Sequence, residues 1–424
     1  MTLNEVLSQV GGETFREAMA SRWEESVGSL PIGPLPFLEP DSIRISREWG
    51  GLAGETQSVL EDTARRVEAS PLLRAVAWHA YRRLVEYPEG DGFGDWPELD
   101  ALLGERSGAF YLLVALGIVP CMRAVHQSMG VSEDVTRNTA KQLWSFTENY
   151  RRGMHGRLGM YRRQLGWCRH YIAGRLFRFD RFEFKLEPFH RGGRVFRHRG
   201  TGDAIVLADD GQSFNADGHI NNEDWASGPG SEWMATLRET PLEISGHPIA
   251  PEGRALRRQV RLRRAEWEWV TAPDLWTLDM HIPAGGDMTP ERCLNSMRQA
   301  VEFFPRFFPG KPFRTISCSS WIFGPQLERV FDGTANLVRF MRELYLFPVR
   351  GRGENGLWFI FLRDHTDPAT VARDTALRRK VAEYLEAGGR WYAGGMVFLT
   401  DDLDGYGTQR YRARWPEVMK LITG

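Results

Sequence analysis

Cysteine is scarce in this chain. The four residues Cys121, Cys168, Cys293 and Cys318 are spread over 424 positions and form no CxxC pair. That spacing argues against a disulfide framework and a cysteine zinc site, and it favours a reducing, cytoplasmic setting. No apolar run reaches the roughly 18 residues that a membrane-spanning helix needs. The closest, Ala109 to Val119, is interrupted by Gly117 and followed by Pro120. The start, Met1-Thr-Leu-Asn-Glu5, has no basic region leading into an apolar core, so no signal peptide is read there. The formal net charge is only −1, which gives no global pull toward nucleic acid. GxSxG and HExxH are absent, there is no internal repeat, and Gly310-Lys311 is followed by Pro312 rather than by the Ser or Thr of a phosphate loop.

The chain length is enough for two or three domains with full cores. The first part reads as helix. Leu72, Val76, His79 and Leu84 fall near helical spacing, and Val135 to Tyr150 is a second amphipathic stretch. The prolines at 31, 34, 36 and 40 mark an extended segment. Near Arg175 the period changes. Leu176-Phe-Arg-Phe-Asp-Arg-Phe-Glu-Phe-Lys-Leu186 alternates apolar and polar residues, as a half-buried strand does. A boundary there gives a helical domain over 1–173 and an α/β (α+β) domain over 174–424, a mixed sheet with flanking helices and a helical extension. Further strands are expected at Arg194–Phe196, Ala204–Leu207, Glu266–Val270, Trp276–Ile282, Thr315–Phe323, Leu344–Val349, Leu357–Leu362 and Met396–Thr400. Helices are expected at Pro290–Phe304, after Pro325, and over Ala369–Ala387.

The most informative segment is Trp276 to Glu291, a strand that ends on a proline, opens into a glycine turn and restarts as a capped helix. Thr289 suits the N-cap and Pro290 the first helical position. Ala284, Gly285 and Gly286 permit positive φ and close backbone approach. Such a turn directs backbone N–H groups and a helix dipole at one spot, where an anion such as a pyrophosphate can sit. A plain strand-to-helix connection has the same spacing. On the strand, Thr277, Asp279 and His281 share one face, and Asp279 can orient the His281 imidazole as a general base. A structural bridge by His281 is the competing reading. On the next strand Cys318 and Ser320 share a face. Ser320 could hydrogen-bond a substrate carbonyl, whereas a buried Cys is more often inert.

Gly351-Arg-Gly-Glu-Asn-Gly356 matches GxGxxG, but Leu357-Trp-Phe-Ile-Phe-Leu362 after it reads as strand, which makes the motif a hairpin loop. Asp209 to Asp224, with Asp217, His219 and Glu223, lacks calcium-loop spacing and reads as a solvated connection. His79, His126, His155 and His170 lie in helical contexts where packing or surface roles are the default. The stretch Arg151 to Arg199 is rich in arginine against only Asp180, Glu183 and Glu187. It reads first as a solvated, ion-paired face, then as a patch for cofactor phosphates or an acidic carrier protein, and last as an RNA surface, which net neutrality disfavours.

His281-Ile-Pro-Ala-Gly-Gly286, Thr289-Pro-Glu291, Ser317-Cys-Ser-Ser-Trp-Ile-Phe323, Pro325-Gln-Leu327 and Gly246-His-Pro-Ile-Ala-Pro-Glu-Gly253 resemble a bacterial acyltransferase family. Its members join a helical N-acyltransferase N-terminal domain to a GNAT-like C-terminal domain. The resemblance implies transfer from an acyl-CoA, acetyl or longer, with no metal, and a pyrophosphate held at Ala284, Gly285, Gly286, Asp287 and Met288, ahead of the Thr289 cap. A backbone N–H near Ile282 would face the oxyanion. The acceptor would be a small-molecule or peptide amine, and an acyl carrier protein is a possible further partner; nucleic acid and membrane are not expected. The usual acetyltransferase turn, with Arg or Gln two residues before Gly-x-Gly, is absent. A scaffold that keeps the fold without its cofactor is the alternative.

Overall fold

The computed structural model describes all residues except 87–91, 190–191, 222–231, 272–274, 352–355, 364 and 424. Glu223, Asp224 and the centre of the GxGxxG segment therefore lie outside the described residues. The chain divides into two units, Met1–Phe179 with Pro283–Gly285, and Asp180–Ile282 with Gly286–Gly424.

The first unit is helical up to the short strand Leu176–Phe179. Helix α1 (Pro71–Val85) starts with Pro71 behind Ser70, whose hydroxyl accepts the Leu73 N–H. Helix α2 (Ser107–Leu116) is buried at every position, as a helix apolar all round must be in a protein core. Helix α3 (Val119–Met129) resumes directly after Gly117, with Pro120 tolerated in its first turn. The helical stretch Asp100–Met129 is therefore longer than the apolar run seen in sequence, and it has the length and hydropathy to cross a membrane. Its most apolar window is 72% buried inside the protein, so that surface serves as core. Gly108 lets Tyr150 lie directly on the α2 backbone, where a Cβ would come within 2.1 Å of Tyr150 Cζ.

The second unit is built on a mixed sheet. Its strands are β1 (Phe182–Pro188), β2 (Trp276–His281), β3 (Phe313–Ser320), β4 (Tyr345–Pro348) and β5 (Gly394–Leu399), in the order β1-β2-β3-β5-β4. Only β2 and β3 run parallel; the other pairs are antiparallel. Between β2 and β3 the chain forms α4 (Pro290–Phe307), whose Cys293, Met297, Ala300 and Phe304 are fully buried. Ser296 Oγ accepts the Phe182 N–H at 3.0 Å and fixes α4 to the start of β1. A second, antiparallel sheet contains Arg194–His198, Ala204–Leu207, Pro248–Ala250, Arg254–Ala255 and Trp267–Thr271. The buried Tyr345 hydroxyl joins the two sheets, donating to Ile249 O and accepting the Val206 N–H.

Three expected strands differ. The stretch Leu176–Leu186 is two strands, Leu176–Phe179 and Phe182–Pro188, because the chain turns at Asp180, which sits at φ 49°. Leu357–Leu362 is a helix over Leu357–Phe361, since Leu357, Ile360 and Phe361 are buried at helical spacing while Phe359 is exposed. A short apolar run is compatible with either period, and here tertiary burial selects the helical one. The strand expected to reach Phe323 stops at Ser320, whose hydroxyl accepts the Ile322 N–H and turns the chain into a 3-10 segment. The helices Asn336–Glu343 and Arg410–Thr423 were not anticipated from the sequence.

Two predictions concern the first unit. His79 and His126 are fully buried, and burial pushes both imidazoles down to about 4 from the ordinary 6.5. Folding holds them neutral, whereas the unfolded chain binds protons below pH 6.5. Their contribution is complete above about pH 6.5 and is lost as the pH falls toward 4, on the order of 3 kcal/mol per histidine. Thermal melts at stepped pH should show this acid limb, and His126→Leu should flatten it. Gly108→Ala should destabilise by about 1–3 kcal/mol because Tyr150 must move, measured by urea denaturation.

Candidate functional site

The site begins where β2 and β3 separate. Their shared register runs Trp276–Phe313, Leu278–Ile316 and Asp279–Ser317. Beyond it, Met280 and His281 continue on β1 against Phe184 and Glu183, while Cys318, Ser319 and Ser320 continue on β5 against Met396, Gly395 and Gly394. The two parallel strands thus diverge at their C-terminal ends, each held by its outer neighbour.

One face of this region carries a row of buried polar groups. Thr277 Oγ1 donates toward Thr315 O at 3.0 Å and lies 3.1 Å from Ser317 Oγ. Asp279, with a side chain only 4% exposed, lies 2.9 Å from His281 Nε2 and 3.9 Å from Lys185 Nζ. Lys185 also pairs with Glu187. His281 is 28% exposed, so its imidazole touches a buried carboxylate on one side and reaches solvent on the other. Glu183 and Lys185 stand opposite His281 and Asp279 across β1. Sequence reading placed Asp279 and His281 on one face. It did not find Glu183 or Lys185, because only the antiparallel register brings them there.

After Ile282 and the buried Pro283, the chain turns through Ala284, Gly285 and Gly286. Gly285 and Gly286 have φ of 80° and 78°, a left-handed conformation that glycine adopts without strain. A Cβ on Gly285 would meet the Trp144 ring at 3.4 Å. Gly286 and Asp287 are exposed, Met288 is half-buried, and Thr289 caps α4 by accepting the Arg292 N–H. Two cations flank Gly286: a Cβ there would lie 3.5 Å from Arg292 Nη1 and 4.0 Å from Arg181 Cδ. Asp180, held at φ 49°, takes Arg292 Nε and Nη2 at 3.0 and 2.6 Å and raises the pKa of that guanidinium. Arg181 and the Asp180-paired Arg292 thus stand beside exposed backbone at a helix N-terminus, where backbone N–H groups can meet an anion. Neither arginine was legible as part of the turn in sequence.

Ser320 is used differently. Besides capping Ile322, it lines a cavity with Ser319 and Arg350. Cys293 is buried, and burial pushes its thiol up to about 12, which makes it unreactive. The Trp321 ring packs over Gly356, where a Cβ would lie 2.0 Å from it, and stacks near Trp391. Many arginines of the 151–199 stretch are engaged in ion pairs. Arg151 meets Glu148, Arg157 meets Glu105, Arg162 meets Glu98, and Arg197 meets Asp401 and Asp402.

Comparison with known proteins bears on this geometry. The N-acyltransferase N-terminal domain matches residues 47–174, and the GNAT-like C-terminal domain matches residues 176–398. Similar solved structures include an acyltransferase in complex with decanoyl-CoA and teicoplanin, at 19% identity over 94% of this chain and 99% of that one, with a TM-score of 0.62. A mutant acyltransferase in complex with octanoyl-CoA gives the same figures. An acyltransferase in complex with decanoyl-CoA matches at 18% identity and a TM-score of 0.60, with the same coverage. A comparison with curated proteins finds no match. The resemblance read from the motifs therefore holds for the fold, and the C-terminal match alone covers more than half of the chain. The chain belongs to the family that joins an N-acyltransferase N-terminal domain to a GNAT-like C-terminal domain.

Proposed function

We propose that the protein transfers an acyl group from an acyl-CoA to an amine. The observation that carries this reading is the divergence of β2 and β3 beyond Asp279–Ser317, next to a turn flanked by Arg181 and Arg292. The cleft would take the extended pantetheine arm, and the turn from Ala284 to Met288 would take the pyrophosphate. Similar structures that hold decanoyl-CoA, octanoyl-CoA and teicoplanin support a fatty acyl donor and a small-molecule or peptide acceptor. The acyl-CoA complexes of the similar structures favour CoA over an acidic carrier protein as the donor.

In the reaction, the amine nitrogen attacks the thioester carbonyl. The C–N bond forms, the C–S bond breaks, and CoA leaves as a thiolate that takes up the proton removed from the amine, directly or through water. A backbone N–H near Ile282 would meet the oxyanion. His281 would accept the amine proton, with Asp279 orienting the ring. Holding donor and acceptor in one orientation would supply much of the rate.

Calorimetry with octanoyl-CoA should show binding, and its absence would leave the scaffold reading. Arg292→Ala should weaken octanoyl-CoA about tenfold while sparing octanoyl-pantetheine, which lacks the phosphates. His281→Ala should lower kcat about 100-fold with donor affinity unchanged; an unaltered kcat would remove His281 as the base. Asp279→Ala should also cost about 2 kcal/mol of stability in urea melts, because Lys185 and His281 lose the buried carboxylate that lies between them.

A further inference from the structure

A second feature of the C-terminal unit lies outside the donor cleft. A cavity of about 450 Å³ opens where Ser319 and Ser320 end β3, where Val349 and Arg350 follow β4, and where Ala393 precedes β5. This volume lies in the range of small-ligand pockets, roughly 300–1,000 Å³. It sits at the C-terminal end of β3, the end where β3 leaves β2.

The lining has a definite chemistry. Arg350 is its only charged residue among the described residues. It is exposed, and among the described residues it makes no ion pair or side-chain hydrogen bond, unlike Arg194, Arg197, Arg199 and Arg314 of the same unit, which all have carboxylate partners. Gln212 Oε1 is buried and has no donor among the described residues. A buried acceptor left unmet is costly, so a ligand N–H or O–H placed there is favoured. Ser319 and Ser320 border the cavity on the strand side, and the Ser320 hydroxyl already accepts the Ile322 N–H. The Ser213 hydroxyl, by contrast, already donates to Glu232.

We propose that this cavity is the acceptor subsite, and that the acceptor amine carries an anionic group, a carboxylate or its equivalent, held by Arg350 while Gln212 Oε1 receives a donor from the same molecule. The proposal rests on the transferase reading above and adds the class of acceptor. A guanidinium matches a carboxylate in a two-pronged geometry that a neutral amide cannot reproduce.

The test uses the full chain, octanoyl-CoA and paired amines that differ only in charge: phenylalanine with phenylalaninamide, and 4-aminobutyrate with 4-aminobutyramide. CoA thiol release is followed for each. Arg350→Gln should raise KM for the carboxylate member of a pair about tenfold. KM for the carboxamide member and for octanoyl-CoA should stay within about twofold, and Arg350→Lys should recover part of the loss. Equal changes for both members, or no change, would overturn the assignment. Gln212→Leu should raise KM for both members alike, and an unchanged KM would overturn the role of that amide. Where no amine is acylated, calorimetry on the same pairs decides. Carboxylate binding that Arg350→Gln abolishes supports the subsite, and binding of neither member overturns it. A failure of octanoyl-CoA to bind counts against the transfer reading alone.

Discussion

A parallel strand pair can open only if something else keeps each strand in place. In this protein the outer neighbours do so: β1 follows β2 as far as His281, and β5 follows β3 as far as Ser320. Backbone groups removed from water need partners, so divergence in the middle of a sheet is tolerable when each strand stays laddered on its far side. The glycine turn, the placement of α4 and the cavity at the end of β3 all follow from that divergence.

The polar row beneath it has a matching logic. Asp279 is too buried to stand alone as a carboxylate, and Lys185 and His281 surround it. Removing one member leaves charge in a dry setting, which costs far more than the pair gains over an apolar replacement. Such a row is an expensive way to stabilise a sheet, and an understandable one where an imidazole must keep one orientation.

Much of this was legible in the chain itself. The change from helix to strand near Arg175, the Thr289–Pro290 cap and the glycines at 285 and 286 are local signals, and local physics decides them; the turn at Asp180 that splits Leu176–Leu186 into two strands left no such signal. The common face of Asp279 and His281 follows from a period of two. Glu183, Lys185 and Arg181 were hidden because register and tertiary turns bring them in from distant positions, and Arg292, although in the first turn of α4, because only its pairing with Asp180 fixes its side chain beside the glycines. The strands at Pro248–Ala250 and Arg254–Ala255 are too short to show a period. Leu357 to Leu362 fits both periods, and only the pattern of burial chooses between them. Ser320 was read as a hydrogen-bond donor to a substrate inside a longer strand; the strand in fact ends there, and its neighbourhood depends on Arg350 and Gln212, residues that no sequence spacing links to it.

The Tyr345 hydroxyl reaches from β4 to Ile249 and Val206 of the outer sheet. Val349 and Arg350 follow directly at the end of the same strand. The outer sheet is therefore the abutment on which the cavity rim is set. Substitutions that shift Ile249 or Val206 can move the Arg350 guanidinium without altering any residue that a ligand touches. On the proposed assignment of the cavity, relatives would diverge in acceptor choice through a layer remote from the chemistry.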